Sequence, residues 1–78
     1  MIDPHHIGRM IRYHRKRAGL TIKQLSDLCG IGKTALFDIE KGKATVRFST
    51  LAAVLSGLNI RPAWTSPLMD KFEEAEDA

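Results

Sequence analysis

The segment that most constrains the fold of this chain is residues 20–42, which read LTIKQLSDLCGIGKTALFDIEKG. Apolar residues recur at helical spacing on both sides of Gly30, so the segment predicts two short helices. The expected apolar side of the first helix is formed by Ile22, Leu25 and Leu28. Thr21 and Gln24 fit the pattern of a capping box, which marks the start of the first helix. Gly30 tolerates the positive φ of a sharp turn, and Gly42 supplies a stop for the second helix. We therefore expect two short helices joined by a tight glycine turn.

The chain before this segment predicts a helix over residues 7–18. Its apolar positions fall on one stripe, whereas its arginines and Lys16 occupy the other faces. Gly19 is the expected stop, because helices often end with a left-handed residue. The stripe is formed by Ile7, Met10, Ile11 and His14.

The chain after this segment predicts one more core helix, capped by Ser49 or Thr50 and ending near Gly57 and Asn59. Residues 59–64 suggest a short strand, which Pro62 would confine to an edge or a bulge. The last residues are acidic but contain enough apolar side chains for a final helical turn. The sequence thus predicts an all-α fold of four to five helices, with a short C-terminal strand as an addition. The apolar positions of the fourth helix are Leu51, Val54, Leu55 and Leu58.

Length and composition limit the class of protein. A chain of 78 residues builds one small core, and a core of this size gains stability from dimerisation. Cys29 is the single cysteine, so an internal disulfide is excluded. Residues 1–17 are too polar for a secretory signal, and no apolar run approaches the ~20 residues that span a bilayer. We expect a cytoplasmic protein without a membrane segment.

The net charge of +3 conceals a division of the chain. Residues 1–61 hold eleven basic and four acidic side chains, whereas residues 62–78 hold one basic and five acidic side chains. We therefore divide the chain into a basic domain, residues 1–61, and an acidic C-terminal tail, residues 62–78. A basic domain suits a polyanionic partner, although a solvated surface can carry the same charge.

The central segment also meets the requirements of a helix-turn-helix, whose second helix enters the DNA major groove. Ser26 is small enough for close helix crossing, and the positions expected to face inward are apolar. The positions expected to face outward on the second helix are small, polar or basic. The inward set is Leu25, Cys29, Ile31, Leu36 and Ile39, and the outward set is Lys33, Thr34, Asp38 and Lys41.

Residues 20–42 resemble the lambda repressor and Cro-like (XRE) family of helix-turn-helix domains, and the resemblance extends over about residues 6–60. The EKGK sequence of residues 40–43 is most similar to small antitoxin repressors of the HipB type. The resemblance implies a dimeric repressor that binds a palindromic operator. In an antitoxin, the same protein also binds and neutralises a toxin.

The resemblance also implies which residues contact DNA. Base contacts come from the start of the second helix, where Lys33 can donate to guanine and Thr34 can touch a thymine methyl group. Asp38 either accepts from a cytosine amino group or holds Lys33 or Lys41 in place. The base-contacting set is Gly32, Lys33, Thr34, Ala35, Phe37 and Asp38, and the phosphate-contacting set is Thr21, Lys23, Lys41, Lys43 and Arg47.

Three further expectations come from the family pattern. Ile22 stands where the family often has a phosphate-binding glutamine, so Thr21 or Lys23 is expected to replace that contact. Arg15 and Glu40 match a structural ion pair that ties the first helix to the third. In HipB-like antitoxins the segment after the last core helix adds a strand across the dimer, which places Asn59, Ile60, Arg61 and Trp64 at a dimer interface.

Two other functions fit the same motif and tail. A phage-type or stand-alone regulator without a toxin has the same motif, and a protein that mainly binds a partner through its C-terminal segment has the same tail. The tail itself is either disordered, a ligand for a basic partner, or a screen for the chain's own basic face. An enzyme is not expected, because the sequence contains no paired nucleophile and base, and no cofactor or metal spacing. The expected partners are an operator duplex, a second copy and a cognate toxin.

Overall fold

A computed structural model describes residues 2–77, which form five helices and no strand. The all-α fold predicted from the sequence is confirmed. The helices are α1 (Pro4–Arg17), α2 (Ile22–Cys29), α3 (Lys33–Lys41), α4 (Phe48–Gly57) and α5 (Met69–Asp77). No helix in the described residues combines the length and apolar character needed to cross a membrane.

Local side-chain hydrogen bonds fix where the first two helices begin. The Asp3 carboxylate accepts from the backbone N–H of His5, and Pro4 opens α1, so this helix begins three residues before the predicted Ile7. At α2 the capping box is complete: Thr21 Oγ1 accepts from the backbone N–H of Gln24 at 3.1 Å, and Gln24 Oε1 accepts from that of Thr21 at 2.9 Å. The prediction that α2 starts at this cap is confirmed.

The first four helices all end in the same way. One backbone N–H just past the helix bonds back three residues and the next bonds back five, which is the Schellman arrangement. The residue whose N–H bonds back three residues adopts the left-handed conformation, with φ between 58° and 86°. These residues are Gly19, Gly30, Gly42 and Asn59. The repeated stop keeps the helices short enough to fold over one another.

The core draws on each of the first four helices. Five apolar side chains are fully or almost fully buried, and α1 packs on α3 while α2 packs on both α3 and α4. The buried residues are Ile11, Leu25, Leu36, Ile39 and Val54. Leu28, expected on the apolar side of α2, is 62% exposed, whereas Cys29, also expected to face inward, is half-buried and packs against the core.

A buried ion pair and a close backbone approach join α1 to α3. Arg15 Nε donates to Glu40 Oε2 at 2.7 Å and Nη2 donates to Oε1 at 3.0 Å, while Nη1 donates to the carbonyl of Leu20 at 2.9 Å. The two charged side chains are only 7% and 5% exposed. The hydrogen bond to Glu40 raises the pKa of Arg15, against the opposing effect of burial. At Gly8 a Cβ atom would lie 2.5 Å from the carbonyl oxygen of Ile39, so only glycine fits this crossing.

One local prediction downstream of α3 is wrong, and another is not tested by a single chain. The N-cap of α4 is Arg47, not Ser49 or Thr50, because the carbonyl of Arg47 already accepts from the N–H of Leu51 and closes the first turn. Within the one described chain, residues 59–64 form neither strand nor helix; the strand that pairs across a dimer stays a prediction. The N–H of Ile60 bonds to the carbonyl of Leu55 at 2.8 Å, so it serves the end of α4.

The C-terminal tail contains a whole helix rather than a single turn. Helix α5 carries five acidic residues and Lys71, and none of its residues is buried. Leu68 and Phe72 are exposed apolar side chains at its beginning, and Met69 is half-buried. The structure thus describes residues 69–77 of the tail as an exposed helix.

Candidate nucleic-acid interface

Helices α2 and α3 cross closely because a small side chain lies between the packed elements. Ser26 is 1% exposed, and its Oγ donates to the carbonyl of Lys23 at 2.8 Å, so the buried hydroxyl is satisfied within α2 itself. Gly30 turns the chain with φ of 70°, and Leu36 anchors α3 in the core. The result is a rigid helix pair whose second member has one face in the core and one in solvent.

The outer face of α3 brings together most of the predicted base contacts. Lys33, Thr34, Phe37 and Lys41 are exposed, whereas Ala35 and Asp38 are half-buried at the side of the helix. Gly32 precedes the helix with no side-chain cap, and no atom would lie within 4 Å of a Cβ placed there. The start of α3 is therefore open to a close approach by another molecule.

Phe37 and Lys41 contact each other on this outer face. The Nζ of Lys41 lies 5.2 Å from the centre of the Phe37 ring, which is within the range of a cation–π contact. Phe37 is 52% exposed, so its ring edge stays accessible beside the ammonium group. The pair presents an apolar surface and a positive charge side by side.

Asp38 has a different partner from the two that the sequence suggested. Its Oδ2 lies 3.4 Å from the Nζ of Lys43, and it pairs with neither Lys33 nor Lys41. Lys43 follows the end of α3, where its own N–H bonds to the carbonyl of Asp38 at 3.0 Å. The loop that leaves α3 therefore folds Lys43 back beside the helix.

A cleft of about 360 Å³ lies between α3 and the start of α4. Asp38 and Ala35 form its α3 side, and Lys43 and Arg47 line it from the loop. Three other residues complete the lining: Thr45, Val46 and Thr50. Thr45 was not among the residues predicted from the sequence, although it lies between Lys43 and Arg47, two predicted phosphate-binding residues.

At the other end of the motif, the start of α2 presents Thr21 and Lys23. The Lys23 Nζ lies 3.0 Å from Asp27 Oδ2, and both side chains are about two-thirds exposed. Ile22 is half-buried and packs against the core. Asp27 was not singled out in the sequence, although a lysine and an aspartate four residues apart on a helix are a recognisable pair.

The residues predicted for a dimer interface lie together after α4. Asn59, Arg61 and Trp64 are exposed and Ile60 is half-buried; Trp64 is 66% exposed. Their role remains a prediction, because the structure contains one chain.

Cys29 is a packing residue between α2 and α4. A Cβ at Gly57 would lie 2.5 Å from its Sγ, so the thiol occupies the space that this glycine leaves. Burial raises the pKa of the Cys29 thiol, which disfavours the reactive thiolate. In residues 2–77 no group of three or more His, Cys, Asp or Glu side chains is arranged to hold a metal ion.

A capping box begins the first short helix, a glycine turn follows it, and the second helix is exposed along one face. These features define a helix-turn-helix protein. The helix-turn-helix family model matches residues 11–65, and the chain belongs to this family. It is accordingly a regulator of the DNA-binding, XRE type. No curated protein matches the chain.

Two solved structures share this fold. One is described as MDT protein; it shares 16% sequence identity, has a TM-score of 0.76, and the match covers 86% of this chain and 94% of that chain. Another is a complex of a HipB variant with an O2 20mer, also with 16% identity and a TM-score of 0.76, covering 86% of this chain and 93% of the other. At this identity the likeness concerns the fold.

Proposed function

We propose that the chain is a dimeric, sequence-specific transcriptional repressor that inserts α3 into the major groove of a palindromic operator. The observation that carries the proposal is the outer face of α3, which exposes Lys33, Thr34, Phe37 and Lys41 while Leu36 and Ile39 hold the helix to the core. A helix supported in this way can enter a groove without losing its packing.

In the proposed complex, the first turn of α3 reads the bases. Lys33 donates to guanine O6 and N7, and Thr34 contacts a thymine methyl group or a base edge. Gly32 and Ala35 allow the backbone to come close, and Phe37 packs against sugar or methyl groups one turn later. Asp38 either accepts from a cytosine amino group or only holds a neighbouring lysine, which the structure gives as Lys43.

The surrounding cations hold the motif on the phosphates. Lys23 and Thr21 lie at the start of α2, while Lys41, Lys43 and Arg47 lie at the end of α3 and in the following loop. These contacts fix orientation and carry no sequence information. Two copies related by a twofold axis would place their α3 helices in successive major grooves ~34 Å apart.

A binding titration tests the sequence-specific part of the proposal. A duplex from the region upstream of the chain's own gene is compared with a scrambled duplex of the same composition, over a series of salt concentrations. We expect tighter binding to the upstream duplex at every salt concentration. Equal affinity for the two duplexes would refute sequence-specific recognition.

Two variants separate base reading from phosphate contact. Thr34→Ala should lower the preference for the upstream duplex, at about 1–3 kcal/mol for the affected base pair. Lys43→Gln should weaken binding to both duplexes alike and flatten the salt dependence. Lys71→Gln changes the net charge by the same amount on α5 and serves as the matched control.

Dimerisation through residues 59–64 is tested separately. Sedimentation of the wild-type chain should give a dimer, and Trp64→Ala should shift the equilibrium towards monomer, because a large aromatic side chain at an interface contributes much of its energy. A monomeric wild-type chain at the concentration that binds operator would contradict this part of the proposal.

The proposed biological role is that of an autoregulating antitoxin in a toxin–antitoxin operon. The HipB-type EKGK sequence of residues 40–43 and the exposed acidic α5 support this role. Co-expression with the adjacent gene should give a complex that survives purification and relieves growth arrest by that gene product. A neighbouring gene without toxicity would favour a stand-alone regulator instead.

A further inference from the structure

The four carboxylates of the basic domain are all engaged. Asp3 caps α1, and Glu40 is buried against Arg15, so these two acidic residues serve the fold. The remaining two, Asp27 and Asp38, are each paired with a lysine. In a domain with eleven basic residues, both of these acids lie against lysines of the proposed phosphate-binding set.

The two pairs are alike in their contacting atoms and in the exposure of their lysines. The Lys23 Nζ is 3.0 Å from Asp27 Oδ2, and the Lys43 Nζ is 3.4 Å from Asp38 Oδ2. Both lysine side chains are more than half exposed, at 67% and 57%, so they can exchange a carboxylate for a phosphate without unfolding. Asp38 also lines the cleft that holds Lys43 and Arg47, where a phosphate would enter a site that already contains a negative charge.

We propose that Asp27 and Asp38 act as built-in counterions that compete with DNA phosphates for Lys23 and Lys43, and so limit how strongly the protein holds DNA of any sequence. This inference rests on the proposed DNA-binding function. A lysine paired within the protein must leave its carboxylate, or bring that carboxylate close to the duplex, before it binds phosphate. Either course reduces the phosphate-driven part of the affinity, which dominates binding to non-operator DNA.

The same pairing changes the response to salt. Phosphate binding releases condensed cations, so affinity normally falls steeply as salt is added. Salt also screens the two internal pairs, which frees their lysines and opposes that fall. The wild-type chain is therefore expected to show a flatter salt dependence than the same chain without the two carboxylates.

The experiment measures binding to a short random-sequence duplex by fluorescence anisotropy over a series of salt concentrations. Asp38→Asn and Asp27→Asn are compared with wild type, after circular dichroism has verified the fold. We expect each variant to bind about two- to fivefold more tightly at low salt, the range of an exposed ion pair, and with a steeper salt dependence. Asp70→Asn, which makes the same charge change on α5, should have a smaller effect.

A second set of variants tests whether Asp38 acts through its lysine. In a Lys43→Gln background, Asp38→Asn should give no further gain, since the lysine that it restrains is gone. A gain that persists there, or an equal gain from Asp70→Asn, would overturn the inference. Folded aspartate variants with the affinity and salt dependence of wild type would overturn the inference as well. The proposed function would still stand in that case, because the wild-type chain would bind DNA. A wild-type chain that binds no duplex even at low salt would refute the proposed function itself, and this inference with it.

Discussion

At the scale of single residues, the Arg15–Glu40 pair is the charged contact on which folding depends most. Both side chains are almost fully enclosed, and Arg15 also satisfies the carbonyl of Leu20. Replacing Arg15 with Ala leaves the Glu40 carboxylate buried without its partner. We expect a loss of about 3–5 kcal/mol in the free energy of unfolding, measured by urea denaturation.

An exposed pair supplies the control for this prediction. Lys23→Ala removes a salt bridge of similar length whose side chains are about two-thirds exposed, and it should change stability by less than about 1 kcal/mol. Equal losses for the two variants would contradict the structural role assigned to the buried pair.

The Cys29 thiol offers a chemical test of burial at the same scale. Burial raises its pKa above the ordinary value of 9.0, so at neutral and mildly alkaline pH its thiolate fraction is lower than in the unfolded chain. Alkylation by iodoacetamide should therefore be slower in the native protein, and its rate should keep rising at pH values where the urea-unfolded chain has levelled off. Equal rates with and without urea would contradict the packed position of Cys29.

At the scale of elements, the crossing of α1 and α3 depends on the missing side chain of Gly8. A Cβ there would lie 2.5 Å from the carbonyl oxygen of Ile39 and 2.7 Å from that of Glu40, and backbone cannot move aside cheaply. Gly8→Ala should therefore lower stability by about 1–3 kcal/mol, although alanine is the better helix former. The expected change in melting temperature is about 4–8 °C per kcal/mol for a domain of this size.

A second glycine makes this prediction sharper because its neighbour can be changed. At Gly57 the obstructing atom is the Sγ of Cys29, not backbone. Gly57→Ala should destabilise the fold alone but much less together with Cys29→Ala, which removes that sulfur. Failure of the double variant to recover stability would show that the α2–α4 contact is limited by something other than this one atom.

Element boundaries were predictable where local chemistry decides them. The start of α2 follows from Thr21 and Gln24, which bond to each other's backbone whatever the rest of the fold does. The ends of α1, α2 and α3 follow from glycines that adopt positive φ. The structure of the segment after α4 was not predictable in this way. Residues 59–64 form no strand within the single chain, where the N–H groups of Asn59 and Ile60 complete the end of α4. Strand propensity does not reveal this use of the two N–H groups, and pairing across a dimer stays a prediction.

The site shows the same division between local and tertiary effects. Leu28 was expected to face inward because it follows Leu25 by three residues, but each step of three drifts about 60° around a helix. The core takes Leu25 and Cys29, which lie four residues apart and were both in the predicted inward set. Likewise Asp38 pairs with Lys43 and with neither Lys33 nor Lys41. This pairing depends on the direction in which the chain leaves α3, which is set by the left-handed Gly42 and cannot be read from the spacing of charges.

At the scale of the whole molecule, the chain consists of a packed basic domain and an acidic extension. The radius of gyration is 14.5 Å, above the roughly 11.5 Å expected for a compact chain of this length. The longest dimension, 43 Å, is about twice each of the other two, 22 Å. Because α5 buries none of its residues, it contributes little to the stability of the domain.

Truncation after Trp64 is the prediction that tests this division. It removes α5 and keeps the tryptophan as a fluorescent reporter, and the net charge changes from +3 to +7. We expect the melting temperature of the domain to stay within a few degrees of wild type, since less than about 1 kcal/mol is lost. Binding to random-sequence DNA at low salt should become tighter, because five carboxylates no longer oppose the phosphates, and the difference should shrink as salt screens them. A large loss of stability would instead make α5 part of the folded domain, and unchanged DNA affinity would mean that its charge lies too far from the bound duplex to matter.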